Sequence, residues 1–188
     1  EIGLAVDRDV PLLAMVTRMD NQKGVDLLIN AVQSLQNQKY QLIILGTGNQ
    51  ELELACKGLE FENPGVVRSL IKFDSALSRR IYAGADMVLM PSRYEPCGIA
   101  QMISMRYGSV PIARATGGLR DTIQDNKTGF LFEKIDGKEL AVCIERAIHA
   151  YSDQKTWKMI QQNCMEQDFS WERSAEKYKL VFEELLKE

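Results

Sequence analysis

Glu95 is the residue in this chain whose type and setting most clearly suit it to chemistry. It lies in the segment Pro91-Ser92-Arg93-Tyr94-Glu95-Pro96-Cys97-Gly98-Ile99. The run 86–90 before it, apolar after Asp86, reads as a buried strand, and 100–107 after it reads as a helix. In an open α/β sheet, ligands bind at the carboxyl ends of strands. A carboxylate there can accept hydrogen bonds from sugar hydroxyls or favour positive charge at an anomeric carbon. The plain alternative is a surface carboxylate on a loop. Pro91 and Pro96 stiffen the segment, and Gly98 permits close backbone approach. A second loop, Ala115-Thr116-Gly117-Gly118-Leu119, follows the strand predicted at 110–113. Its two glycines before a helix leave amides for an anion, or make only a tight turn. One acidic loop and one amide-rich loop suit a neutral polyol joined to a phosphate.

The cations sit elsewhere. Thr17-Arg18-Met19-Asp20-Asn21-Gln22-Lys23-Gly24 joins the first predicted strand to the first helix. Arg18 can give forked hydrogen bonds and Lys23 a point charge, which suits a diphosphate at a helix N-terminus. Taken alone, they read better as solvated loop charges, because Arg and Lys are common on loops. Gly46-Thr47-Gly48 follows the next strand, but Glu51 stands where a dinucleotide fingerprint needs its third glycine. A tight turn and a ligand contact both remain open for it. Phe73, just past a strand at 66–71, can lie on a base or sit at a core edge. Cys97 reads as a small buried residue rather than a nucleophile, because the single histidine, His149, is far off on a helix. No second carboxylate near Glu95 supports a two-carboxylate hydrolase. No metal site is expected.

These residues need a scaffold, and the hydropathy pattern supplies one. Strands are predicted at 11–17, 41–45, 66–71, 86–90, 109–113 and 129–132, with helices at 25–35, 50–57, 75–83, 100–107 and 119–124 between them. Most strands are continuously apolar, as expected where helices cover both faces of a parallel sheet. Three helices close the chain, with Asp136, Asp153 and Ser170 as predicted caps. Trp157 and Trp171 read as packing residues on them. The fold class is therefore α/β, a Rossmann-like three-layer sandwich with C-terminal helices. The 188 residues suit one domain, 11–188, behind a linker-like segment 1–10 that lacks a start methionine and suggests an excised fragment. A net charge of −3 with no basic stripe argues against nucleic-acid or membrane partners. Four scattered cysteines read as reduced thiols in a cytosol-like compartment.

Taken together, the motifs resemble the C-terminal half of the glycogen and starch synthases. Arg18 to Gly24 resembles the family's R-x-x-x-Q-K-G segment, Gly46-Thr47-Gly48 its GTG loop, and Pro91 to Gly98 its PSRFEPCG signature. Met105-Arg106-Tyr107-Gly108, Thr116-Gly117-Gly118-Leu119 and Phe169-Ser170-Trp171 with Tyr178 resemble further stretches. The resemblance covers essentially the whole chain. It implies the GT-B architecture, with this chain as the donor-binding domain and the acceptor site in an absent N-terminal domain. The implied reaction moves glucose from ADP-glucose to the 4-hydroxyl end of an α-1,4-glucan with retention, without metal or other cofactor. The implied donor residues are Arg18, Lys23, Gly46, Gly48, Phe73, Glu95, Cys97, Gly98, Thr116, Gly117, Gly118 and Leu119. Among them Glu95, Arg18 and Lys23 take part in catalysis. Ile103 stands where many GT-B transferases carry a second glutamate, and Phe73 where tyrosine is usual. The rivals are a UDP-sugar-dependent transferase and a non-catalytic nucleotide-sugar module. The implied location is the cytoplasm, or a plastid stroma.

Overall fold

The continuously apolar runs become strands buried on both faces. A computed structural model describes residues 2–7, 9–35 and 37–186. Strands β1 (Leu12–Val16), β2 (Gln41–Gly46), β3 (Val67–Ile71), β4 (Met87–Met90), β5 (Val110–Arg114) and β6 (Phe130–Phe132) form one sheet in the order β3-β2-β1-β4-β5-β6. Every pairing is parallel. Along β1 and β2 the side chains alternate between two cores. Leu13, Met15, Leu42 and Ile44 join the larger cluster, while Ala14, Ile43 and Leu45 join a smaller one. That division explains why neither strand shows a polar alternation.

Helices α1 (Val25–Ser34), α2 (Gln50–Glu62), α3 (Ser75–Gly84), α4 (Ala100–Tyr107), α5 (Gly117–Thr122), α6 (Gly137–Ser152), α7 (Gln154–Met165) and α8 (Trp171–Leu185) complete the molecule. Helix α1 packs on α6 and α2, and α7 packs on α6 and α4. Ile81 of α3 and Ala85 just beyond it close the smaller core, joined by Ile2 and Leu4 from the segment read as a linker. Glu1 and Arg8 of that segment lie outside the described residues. The caps fall where expected: the side chains of Asp136, Asp153 and Ser170 accept from first-turn amides of α6, α7 and α8. Among the described residues no helix is long and apolar enough to cross a membrane.

Three local expectations are corrected. Helix α2 runs on to Glu62 because Leu59 continues the buried face begun by Cys56, and Gly58 faces open space. Helix α5 starts at Gly117, earlier than the predicted 119, because the extended Thr116 already serves as its N-cap; Ile123 is extended again. Trp157 is buried, but Trp171 is not a packing residue. It opens α8, a helix with no buried residue, and stands 86% exposed.

The strand order decides where a ligand can sit. β1 lies between β2 and β4. The chain leaves β1 toward β2 and leaves β4 toward β5, so the loops after β1 and β4 diverge. A crevice opens at their carboxyl ends, the usual ligand position of such sheets.

Candidate functional site

The β1–α1 loop is built to aim Lys23. Asp20 is extended, and its Oδ1 accepts from the Lys23 amide at 2.9 Å, which starts a single 3₁₀ turn, Asn21–Lys23. Gly24 ends the turn at φ 72°. A β-carbon on Gly24 would stand 2.1 Å from the Pro91 carbonyl oxygen, so the position needs glycine for both its backbone angle and its close approach. The turn delivers Lys23 Nζ to Glu95 Oε2 at 2.6 Å. Ser92 Oγ donates to the same oxygen at 3.1 Å. Glu95 is 8% exposed, so a carboxylate from the β4–α4 loop meets a cation from the β1–α1 loop in a nearly dry setting.

Arg18 is far more open, with its side chain 65% exposed. Its Nε donates to Asp20 Oδ2 at 2.5 Å. Burial raises the Asp20 carboxyl, but the Arg18 hydrogen bond, the Lys23 amide and both cations outweigh it and hold it below the ordinary carboxylate range. Each expected phosphate cation thus rests on an internal carboxylate. An incoming diphosphate would have to share or displace these partners.

The loops around this pair interlock. Asp26, in the first turn of α1, takes a forked pair of hydrogen bonds from Arg93, both 2.7 Å. The Arg93 hydrogen bond leads the lowering of the Asp26 carboxyl against its partial burial. Arg93 also donates through its amide to Gln22 O at 2.7 Å and through Nη1 to Asn21 O at 2.6 Å. Gln22 Nε2 returns a bond to Tyr94 O at 3.1 Å. On the far side Arg114 donates to the carbonyls of Ser92 and Arg93. Buried Gln101 donates through Nε2 to Cys97 O and Gly98 O, at 3.1 and 3.0 Å. Sequence reading missed Asp26, Ser92, Arg93 and Arg114. Ser92 and Arg93 stood inside the recognised segment, whereas Asp26 and Arg114 carried no local signal.

The glycine-rich loops pack on their neighbours. A β-carbon at Gly46 would stand 1.8 Å from Thr17 O, and one at Gly118 1.9 Å from Cys97 O. Gly48 and Gly117 likewise face the carbonyls of Met19 and Glu95. The reading of Thr116 to Leu119 as a row of free amides is corrected. The Thr116, Gly118 and Leu119 amides donate to Arg114 O, Glu95 O and Thr116 O, and Gly117 is the one residue of the four whose amide does not take part in these bonds.

Two cavities of about 460 Å³ each meet at Val16 and Thr17, at the end of β1. One is lined by Lys23, Ser92, Glu95, Pro96, Cys97 and Gly98 among others. The other holds Arg18, Gly46, Thr47, Phe73 and Asp74. Phe73 is 89% exposed, so it is no core residue, and its ring is free to meet a planar group. Cys97 is exposed rather than buried, and its thiol donates to the Gly98 carbonyl at 3.5 Å. Cys56, Cys143 and Cys164 are buried and free, and burial pushes their thiols up to about 11, 12 and 12. Ile103 is partly exposed on α4. Among the described residues no cluster of His, Cys, Asp or Glu could hold a metal ion.

Comparison with known proteins adds relatives to this geometry. Residues 3–163 match the family described as glycosyl transferases group 1. The chain is 45% identical to a glycogen synthase of Clostridium perfringens, covering 100% of this chain and 40% of that protein. It is 46% identical to one from Clostridium beijerinckii, again over 40% of that protein. The chain thus spans about 40% of the length of these curated relatives. Among solved structures, the catalytic domain of starch synthase IV from Arabidopsis thaliana, bound to ADP and acarbose, superposes with a TM-score of 0.86 at 35% identity. The match covers 100% of this chain and 41% of that one. A sucrose-phosphate synthase from Thermosynechococcus elongatus gives a TM-score of 0.76 at 26% identity, over 97% of this chain and 47% of that one.

Proposed function

The chain belongs to the glycosyl transferases group 1 family, and from that premise we propose that it is the ADP-glucose-binding half of a glycogen or starch synthase. The observation that carries the reading is the Lys23–Glu95 contact at 2.6 Å, in the crevice beside β1 and next to the cavity that Phe73 lines. The two cavities divide a nucleoside diphosphate sugar in a natural way. Phe73 stacks on the base, Arg18 and Lys23 hold the diphosphate with the Gly117 amide, and Glu95 takes the sugar. The glycogen synthase relatives and the ADP held by the Arabidopsis enzyme support adenine as the base and glucose as the sugar.

In the proposed reaction the bond between the anomeric carbon and the diphosphate oxygen breaks, and its electron pair leaves with ADP. Arg18 and Lys23 stabilise that departing charge in the role a metal ion plays elsewhere. Glu95 accepts hydrogen bonds from glucose hydroxyls and favours the positive charge growing at the anomeric carbon. The 4-hydroxyl oxygen of an α-1,4-glucan then bonds to that carbon on the face the diphosphate left, and its proton passes to the departing diphosphate oxygen. The acceptor is held by a domain outside this chain, so the 188 residues bind donor and turn over little.

Calorimetric titration of the chain with ADP, ADP-glucose and UDP tests the reading. ADP and ADP-glucose should bind, UDP more weakly, and EDTA should change none of the three. Tighter binding of UDP than ADP would overturn the assignment of the donor.

A further inference from the structure

Lys23 and Glu95 belong to loops 72 residues apart in the chain, yet their charged atoms stand 2.6 Å apart. In the proposed function one holds phosphate and the other holds sugar, so their relative placement sets the span that a bound donor must match. Something has to fix one loop against the other. Five contacts do so near the pair: Gly24 against the Pro91 carbonyl, the Arg93 amide on Gln22 O, Gln22 Nε2 on Tyr94 O, Arg93 Nη1 on Asn21 O, and the Arg93–Asp26 fork. The first two join backbone to backbone, and Gln22 Nε2 and Arg93 Nη1 each add a single bond from a side chain to a carbonyl. The fork joins side chain to side chain through two bonds at once. A guanidinium and a carboxylate joined by two parallel bonds fix distance and angle together.

Arg93 also caps Asn21 O, within the turn that carries Lys23, and Arg114 braces the Ser92 and Arg93 carbonyls from behind. Asp26 sits at the positive end of the α1 dipole, where a carboxylate is favoured. The pair is about one-third exposed on each side, so as a plain surface ion pair it would contribute little to stability. Its geometric consequence is larger, because small misplacements of reacting groups cost far more in binding and rate than in folding.

We propose that Arg93 and Asp26 are positioning residues for the donor site: their forked ion pair locks the β4–α4 loop to the first turn of α1, directly after the β1–α1 loop, and so sets the Lys23–Glu95 spacing. The inference rests on the function proposed above for the biological meaning of that spacing, but its structural core does not.

Two measurements on this chain test it. The first needs no ligand. A double-mutant cycle of Lys23→Met and Glu95→Gln, read as shifts in the urea unfolding midpoint, gives the coupling between the two side chains. In an Arg93→Gln or Asp26→Asn background that coupling should fall by at least half, and the combined Arg93→Gln/Asp26→Asn background should lower it no further. Unchanged coupling in the Arg93→Gln background overturns the proposal, whatever the chain binds. The second uses ADP and ADP-glucose as probes. Arg93→Gln should weaken ADP-glucose at least fivefold more than ADP, because only the sugar nucleotide engages both loops at once, and Arg93→Lys, which keeps charge without the fork, should restore only part of the difference. Equal weakening of both ligands would mean a general loss of fold and would also overturn the proposal. If the parent bound neither ligand, the functional reading would fail, while the coupling measurement would still decide the structural claim.

Discussion

Replacing Lys23 by methionine should destabilise the chain well beyond what a loop lysine normally contributes. The reason is what it leaves behind. Glu95 is 8% exposed, and without Lys23 its remaining side-chain partner is the Ser92 hydroxyl at 3.1 Å. A hydrogen bond to a charged group contributes ~1.5–3 kcal/mol, and stranding one member of a fully buried pair costs ~3–5 kcal/mol. The Lys23 side chain is 23% exposed, so water can reach the vacated position, and the smaller range of ~1.5–3 kcal/mol applies. In a chain of this size, each kcal/mol shifts the melting temperature by ~2–4 °C, which gives a fall of about 3–12 °C. The reverse change is cheaper. Glu95→Gln keeps a partner for Ser92, and Lys23 can turn its ammonium to solvent, for a cost under about 1 kcal/mol. The double variant should recover much of the loss, because no charge is then stranded. Differential scanning calorimetry of the four proteins checks this order. If Lys23→Met melted with the parent, or if Glu95→Gln were the costlier change, the account of Glu95 as a nearly dry, Lys23-neutralised carboxylate would be wrong.

Four further outcomes are expected. Phe73→Ala should weaken ADP several-fold but leave inorganic pyrophosphate nearly unchanged in competition titrations; equal losses would place the ring's effect in the fold instead. In a full-length synthase carrying this domain, Glu95→Gln should lower kcat at least a hundredfold with ADP affinity nearly intact, and a defect confined to KM would refute a transition-state role. The Asp26 carboxyl is held low chiefly by its Arg93 hydrogen bond, so its stabilisation is complete above its ordinary value of 3.8 and is lost as pH falls below that through its folded value. The stability gap between the parent and Asp26→Asn should therefore shrink on acidification below that pH, and a constant gap would contradict the pairing. In the native chain Cys97 alone should react with a thiol reagent such as Ellman's, because burial pushes the other three thiols up to about 11 or 12 and shields them; release of a second equivalent before unfolding would show otherwise.

The sequence by itself determined the parts of this protein that depend on local periodicity. Unbroken apolar runs at β1, β2 and β4 announced strands covered on both faces, and the caps Asp136, Asp153 and Ser170 fell at the helix starts where a short polar side chain meets free amides. The residue types around Glu95, Arg18 and Lys23 suggested a sugar and a diphosphate only when the loops were read together, since each loop alone also suited plain surface charges. Tertiary structure alone decided what lies between those loops. Placing β1 beside β4 brings Lys23 onto Glu95 across 72 residues, and no pattern with a period of two or 3.6 encodes that distance. The same holds for Asp26 and Arg93, whose fork exists only once the two loops meet. Gly46, Gly48, Gly117 and Gly118 carry the same lesson: as letters they allowed either ligand contact or tight packing, and the carbonyls their β-carbons would strike come from other segments. Trp171 and Cys97 were misread for a related reason, since whether a side chain is buried depends on what packs over it, and that neighbour is chosen by the fold.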